Sequence, residues 1–117
     1  MMEMLIVIRV KEKEKEDLMK MLIDTFDYWG YTYLYKKNTN ELLLVNKHGF
    51  ATFEYNDSFY KDPQSGEEYG EMVITLTSTE KQLPLLAQDI VKDLMVMGLN
   101  KNVLTYYINE RNRILYR

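Results

Sequence analysis

Cysteine is absent from this 117-residue chain. That removes disulfides, thiolate nucleophiles, iron–sulfur ligation and cysteine-based zinc sites together. Histidine occurs once, as His48, between Lys47 and Gly49 at a predicted turn. A histidine-based triad there would need an activated serine or threonine beside it. The five glycines, Gly30, Gly49, Gly66, Gly70 and Gly98, are scattered, so neither a P-loop nor a dinucleotide fingerprint can be assembled from them. No apolar run approaches the ~20 residues that span a bilayer. Leu5-Ile6-Val7-Ile8 is too short for a signal-peptide core, and Glu3 stands where a basic leader belongs; the expectation is cytoplasmic residence without membrane association. A net charge of −3 is too small to recruit a polyanion by bulk electrostatics.

What remains is ordinary globular material: 46% hydrophobic and 28% charged residues, a balance that suits one packed core rather than disorder. At this length the expectation is a single domain over 1–117. Charge is unevenly placed. From Glu54 to Met72 six acids (Glu54, Asp57, Asp62, Glu67, Glu68, Glu71) stand against Lys61, a net of −5. From Lys101 to Arg117, Lys101, Arg111, Arg113 and Arg117 stand against Glu110, a net of +3. Such halves can guide a partner, satisfy each other in a dimer, or simply be solvated.

Met4 to Val10 is apolar except for Arg9, and its length and Ile/Val content predict a buried strand. The alternating run from Lys11 to Asp17 predicts a solvated helix entrance with local ion pairs. Leu18, Met19, Leu22, Ile23, Phe26 and Trp29 recur at three- and four-residue spacing, one apolar face of a helix that Gly30 should end. Strands are predicted over Tyr31 to Lys37, Glu41 to Lys47 and Phe50 to Asn56, with turns at Asn38-Thr39-Asn40 and His48-Gly49. Asp62-Pro63-Gln64-Ser65-Gly66 is the strongest loop signal, and Met72 to Thr77 alternates as a strand. Thr79 and Gln82 have capping-box spacing; Pro84 favours instead a helix starting at Leu83. Leu83, Leu86, Ala87, Ile90, Val91, Leu94 and Met97 form its apolar face, closed by Gly98. Val103 to Ile108 reads as a further strand, and Arg113 to Arg117 as a short final one. The order β-α-β-β-β-β-α-β predicts an α+β two-layer sandwich: a mainly antiparallel sheet with two helices on one face, ferredoxin-like with an extra hairpin.

Metal binding would rest on oxygen ligands. Asp57, Asp62, Glu67, Glu68 and Glu71 crowd one loop but lack EF-hand spacing. A metal-dependent hydrolase built on the 54–72 acids is therefore the most distant of three functional readings, and no cofactor is expected. Lys47-His48-Gly49-Phe50-Ala51-Thr52-Phe53-Glu54-Tyr55 resembles the second signature of RNA-recognition-motif domains, with Phe50 and Tyr55 at matching places. Thr52 replaces a stacking aromatic of that family, and Leu5 to Val10 offers no ring for the partner signature. The resemblance implies single-stranded nucleic acid, held by stacking on Tyr31, Tyr33, Tyr35 or Phe50 with Lys36, Lys37 and Lys47 on phosphates.

Ten tyrosines carry the leading reading. Tyrosine supplies contact area with little rotamer entropy and a polar tip, and it is enriched where proteins dock. Tyr31, Tyr33 and Tyr35 alternate in a predicted strand, so they should share one face beside Lys36 and Lys37. Tyr107 stands near Arg111 and Arg113, the aromatic–arginine composition of interface hot spots. The expectation is a small non-catalytic module that docks on a protein partner, with homodimerisation as one form of that docking. The Lys/Asn/Tyr/Ile-rich composition and small size also suit a virus- or mobile-element-encoded inhibitor of a host factor. The runner-up is the nucleic-acid binder.

Overall fold

Six antiparallel strands and two helices account for nearly all of the described residues. The structure, a computed structural model, describes residues 1–38 and 40–110, with residues 33, 35–38, 58 and 59 described in backbone only. Their order is β1 (Met2–Lys11), α1 (Glu12–Tyr28), β2 (Thr32–Asn38), β3 (Glu41–Asn46), β4 (Gly49–Lys61), β5 (Glu68–Ser78), α2 (Leu83–Val96), a short 3-10 turn and β6 (Val103–Glu110). The predicted strand over Arg113 to Arg117 lies outside the described residues.

The sheet order is β2-β3-β4-β5-β1-β6, antiparallel throughout. Antiparallel neighbours alternate direction, so β5 and β6 run parallel on either side of β1. Helix α2 makes that crossover, as parallel strands require. Helix α1 carries the chain from β1, next to the β6 edge, to β2 at the opposite edge.

Alternation in the strands decides which face the helices cover. Met4, Ile6, Ile8 and Val10 of β1 are buried, as are Met72, Ile74 and Leu76 of β5, and Ala51, Phe53 and Tyr55 of β4. In register these residues make continuous cross-strand rows, such as Leu42–Phe53–Ile74–Ile6. Leu18, Leu22 and Phe26 of α1, with Leu86, Ile90 and Leu94 of α2, close the core from above. The helices are tied at their outer edge by Thr25 Oγ1 donating to Asp93 and by Trp29 Nε1 donating to Asp89 at 2.9 Å.

Both helices end the same way. Gly30 sits at φ +86°, and its N–H donates to Asp27 O while Tyr31 N–H donates to Phe26 O, both at 2.9 Å. At α2, Gly98 (φ +70°) donates to Met95 O, and Leu99 donates to Leu94 O at 2.7 Å. These are Schellman closures, which pair the residue after glycine with an apolar residue of the last turn. Phe26–Tyr31 and Leu94–Leu99 are those pairs, and all four are buried.

At the entrances the expectations divide. Glu14 accepts from the Lys11 N–H at 3.0 Å, as an acid in the third helical position should. Helix α2 starts at Leu83 with Pro84 in its first turn. The Thr79–Gln82 capping box does not form, because the Thr79 N–H and hydroxyl both turn to His48 O. The charged run is not wholly solvated either: Lys15 is only 6% exposed. It falls three residues before Leu18 and seven before Leu22, on the core-facing stripe. Its stem is covered, and Nζ reaches Glu12 Oε2 at 3.0 Å and Asn40 Oδ1 at 2.9 Å.

Candidate functional site

Among the described residues no element covers the second face of the sheet, and that face is the candidate site. Its middle row runs Leu43–Thr52–Thr75–Leu5–Tyr107 across β3, β4, β5, β1 and β6. On one side lies Val45–Phe50–Thr77–Glu3; on the other, Glu41–Glu54–Val73–Val7. Every one of these residues is wholly or partly exposed, Phe50 at 46% and Tyr107 at 48%. Thr52 and Thr75, paired in register, also share a hydroxyl–hydroxyl hydrogen bond. A shallow groove of about 290 Å³ follows the β3–β4 pair between Glu41, Leu43, Thr52 and Glu54. The centre of the face is therefore apolar and hydroxylic, with acids confined to its margins.

Below the apolar rows the same face becomes cationic and aromatic. Strand β4 slips register between Asn56, opposite Glu71, and Tyr60, opposite Tyr69. Three residues of β4 there face Gly70 alone, a bulge larger than the usual two against one. Gly70 is required by close approach: a Cβ would stand 2.5 Å from the Tyr55 phenol oxygen. Past the bulge, Tyr60 returns to the uncovered face beneath the Arg9 guanidinium, whose carbon lies 3.7 Å from the ring centroid. Tyr69 packs against Tyr60 at 6.2 Å between centroids. Lys11 Nζ lies 5.6 Å from the Tyr69 ring and pairs with Glu67 at 2.7 Å; that pairing raises the Lys11 pKa and lowers that of Glu67.

Of the tyrosines predicted to stand beside Lys36 and Lys37, Tyr31 lies in the core. Tyr31 is 3% exposed and packs edge-on against Phe26 at 5.1 Å between centroids. Burial raises its phenol pKa, with hydrogen bonds to Ser78 and Asn46 acting the other way. Its position after Gly30 in the Schellman closure draws it into the core. Tyr33 pairs with Leu44 and Tyr35 with Leu43, successive residues of β3, because β2 carries an extra residue at Leu34. Strict alternation, on which a shared face rested, is thereby interrupted. The backbones of Lys36 and Lys37 belong to β2. Tyr107 lies on the uncovered face as the end of its middle row, whereas Arg111 and Arg113 lie outside the described residues.

The acids of 54–72 are dispersed. Glu54 and Glu71 project onto the uncovered face, Glu67 pairs with Lys11, and the Asp62 side chain accepts the Gln64 N–H of its own turn. Asp57 sits in the bulge and hydrogen-bonds Glu12, which raises its pKa; Lys15 first, then Asp57, lower that of Glu12. Among the described residues no three His, Asp or Glu side chains gather as a metal site would require. His48 Nε2 stands 3.5 Å from Glu80 Oε2. In the segment resembling the RNA-recognition signature, Phe50 is on the uncovered face. Tyr55 is buried, with its hydroxyl donating to Val10 O at 2.9 Å, so it offers no stacking surface.

Sequence reasoning missed Leu5, Val7, Leu43 and Val73 as surface residues. The apolar run from Met4 to Val10 reads as a buried strand, and nothing local marks one face as uncovered. Only the pairing of the run Met72 to Thr77 with threonines on alternate positions carried that signal. Comparison with models of known protein families and with curated proteins gives no match. No helix among the described residues is long and apolar enough to cross a membrane.

Proposed function

We propose that this protein is a non-catalytic binding module that docks on a protein partner through the uncovered face of its sheet. One observation carries the reading: the cross-strand row Leu43–Thr52–Thr75–Leu5–Tyr107, with Val7 and Val73 beside it, is left open. Scattered apolar residues on a surface need no explanation, but a contiguous apolar patch rimmed by charge is the composition of an interaction site. Tyr107 supplies the aromatic anchor at the end of the row. A ferredoxin-like arrangement with an extra hairpin agrees with the strand order: without β2 and β3, the chain is β-α-β-β-α-β in the order β4-β5-β1-β6.

Affinity capture from the organism that encodes the chain tests this reading when wild type is compared with Leu5→Glu and Tyr107→Glu. Both variants should fold and lose the partner, whereas Met95→Glu, on the exposed side of α2, should retain it. Light scattering on the same proteins covers a homodimer, which the face variants should dissociate. Partner binding that survives both face variants would reject the reading. The nucleic-acid alternative keeps Phe50 and Lys47 but loses the stacking surfaces of Tyr31 and Tyr55. Saturable, salt-sensitive binding of short oligonucleotides, abolished by Phe50→Ala, would favour it instead.

A further inference from the structure

We propose that Arg9, laid over Tyr60 on the uncovered face, is a receptor for a carboxylate carried by the partner protein. The inference rests on the docking reading above and names the chemistry the partner brings. Arg9 is the one charged residue in the apolar run from Met4 to Val10, and strand alternation puts its side chain opposite the core. Its backbone is fixed by the pairing with Glu71 and by Asn102 Nδ2 donating to Arg9 O at 3.3 Å. Its guanidinium carbon lies over the Tyr60 ring, a contact that holds the charge in place without neutralising it. Glu71, directly across in register, makes no ion pair with it, and no carboxylate among the described residues lies within ion-pair distance. Arg9 Nε is also sealed from solvent and has no hydrogen-bond acceptor. A buried donor without an acceptor is rare and costly in a folded chain, and acids outnumber bases in this one.

The site's surroundings choose the ligand. A planar carboxylate matches the guanidinium fork, with its two oxygens meeting Nε and an Nη together. Tyr60 stands directly after the unpaired stretch of β4, so the ring that lies against the guanidinium adjoins a local break in the ladder, and a shift of that ring would uncover the edge of Nε. A phosphate dianion or a nucleic-acid backbone fits poorly. Lys11, two residues further along β1 on the same face, is already paired with Glu67. Glu54 and Glu71 repel additional negative charge, and strand binding needs several free cations.

Nuclear magnetic resonance of the arginine Nε–Hε groups of the full chain reads the site directly. Acetate is titrated against sodium chloride at matched ionic strength, with inorganic phosphate as a second arm. The Arg9 Hε signal should move along a saturating curve in acetate and stay near its starting position in chloride. In Arg9→Lys, the Tyr60 ring signals should need about tenfold more acetate, reflecting loss of a bidentate charge-assisted contact. An Hε signal that responds to acetate only as it does to chloride would overturn the site. Saturation by phosphate at lower concentration than acetate would overturn the carboxylate assignment. The wild-type titration needs no variant to fold. Because acetate binds without the partner, a negative result here is separable from failure of the Leu5 and Tyr107 variants.

Discussion

Tyr55 carries three jobs in one side chain: core filler, donor to Val10 O, and a ring 5.2 Å from the Lys15 ammonium. Tyr55→Phe keeps the packing and strands a buried carbonyl, so it should cost about 1 kcal/mol in a urea titration. Asp93 behaves differently. Burial raises its pKa above the ordinary aspartate value of 3.8, Asp89 and Asp24 push the same way, and the Thr25 hydroxyl opposes them. The folded chain therefore holds this proton more tightly than the unfolded chain. The group's favourable contribution is complete below pH 3.8 and is lost as pH rises through its folded value. Asp93→Asn should accordingly be stabilised relative to wild type at neutral pH, by less than about 1 kcal/mol because the group is still partly exposed and screened by solvent. The advantage should shrink on acidification; an advantage independent of pH would contradict the assignment. The same residue scale explains Lys15, whose place on the core stripe was present in its three- and seven-residue spacing to Leu18 and Leu22. Alternating charges on either side concealed it.

Helix ends show how far local chemistry reaches. Gly30 and Gly98 predicted the ends of α1 and α2, and the Schellman geometry then fixes the fate of the next residue. Tyr31 and Leu99 are folded back onto Phe26 and Leu94. That rule was legible, and it outranked the alternation that grouped Tyr31 with Tyr33 and Tyr35. Gly30→Ala should cost about 1–2 kcal/mol, since a Cβ at φ +86° is strained although space is open around it. A thermal melt that moves no more than for an exposed helix substitution would argue against the closure. Strand lengths were less legible. β4 extends to Lys61 and β5 begins at Glu68, because a long hairpin lets each strand hydrogen-bond residues that look like loop in isolation. The β4 bulge opposite Gly70 could not be anticipated without knowing which strand pairs with it.

At the scale of the molecule, the two layers built by the described residues leave one sheet face bare. The element order and the placement of both helices on one face followed from periodicity in Leu18–Phe26, Leu83–Leu94 and Met72–Thr77. Which apolar residues lie opposite the core did not. Leu5, Val7 and Val73 are chemically indistinguishable from Ile6, Ile8 and Ile74, and only parity in the assembled sheet separates them. The bare face joins an apolar centre, an aromatic end at Tyr107 and an unpaired guanidinium at Arg9. Its position also explains why the acids of 54–72 do not converge, since alternation and the bulge send them to separate sides of the hairpin.

A photo-crosslinking amino acid in place of Thr75 tests the central assignment most directly, because Thr75 lies between Thr52 and Leu5 in the middle of the bare face. Irradiated in the source organism, it should join the chain to one discrete protein partner, while the same group in place of Lys92 on α2 should not. Crosslinking from Lys92 with none from Thr75 would place the partner on the helices and contradict the account.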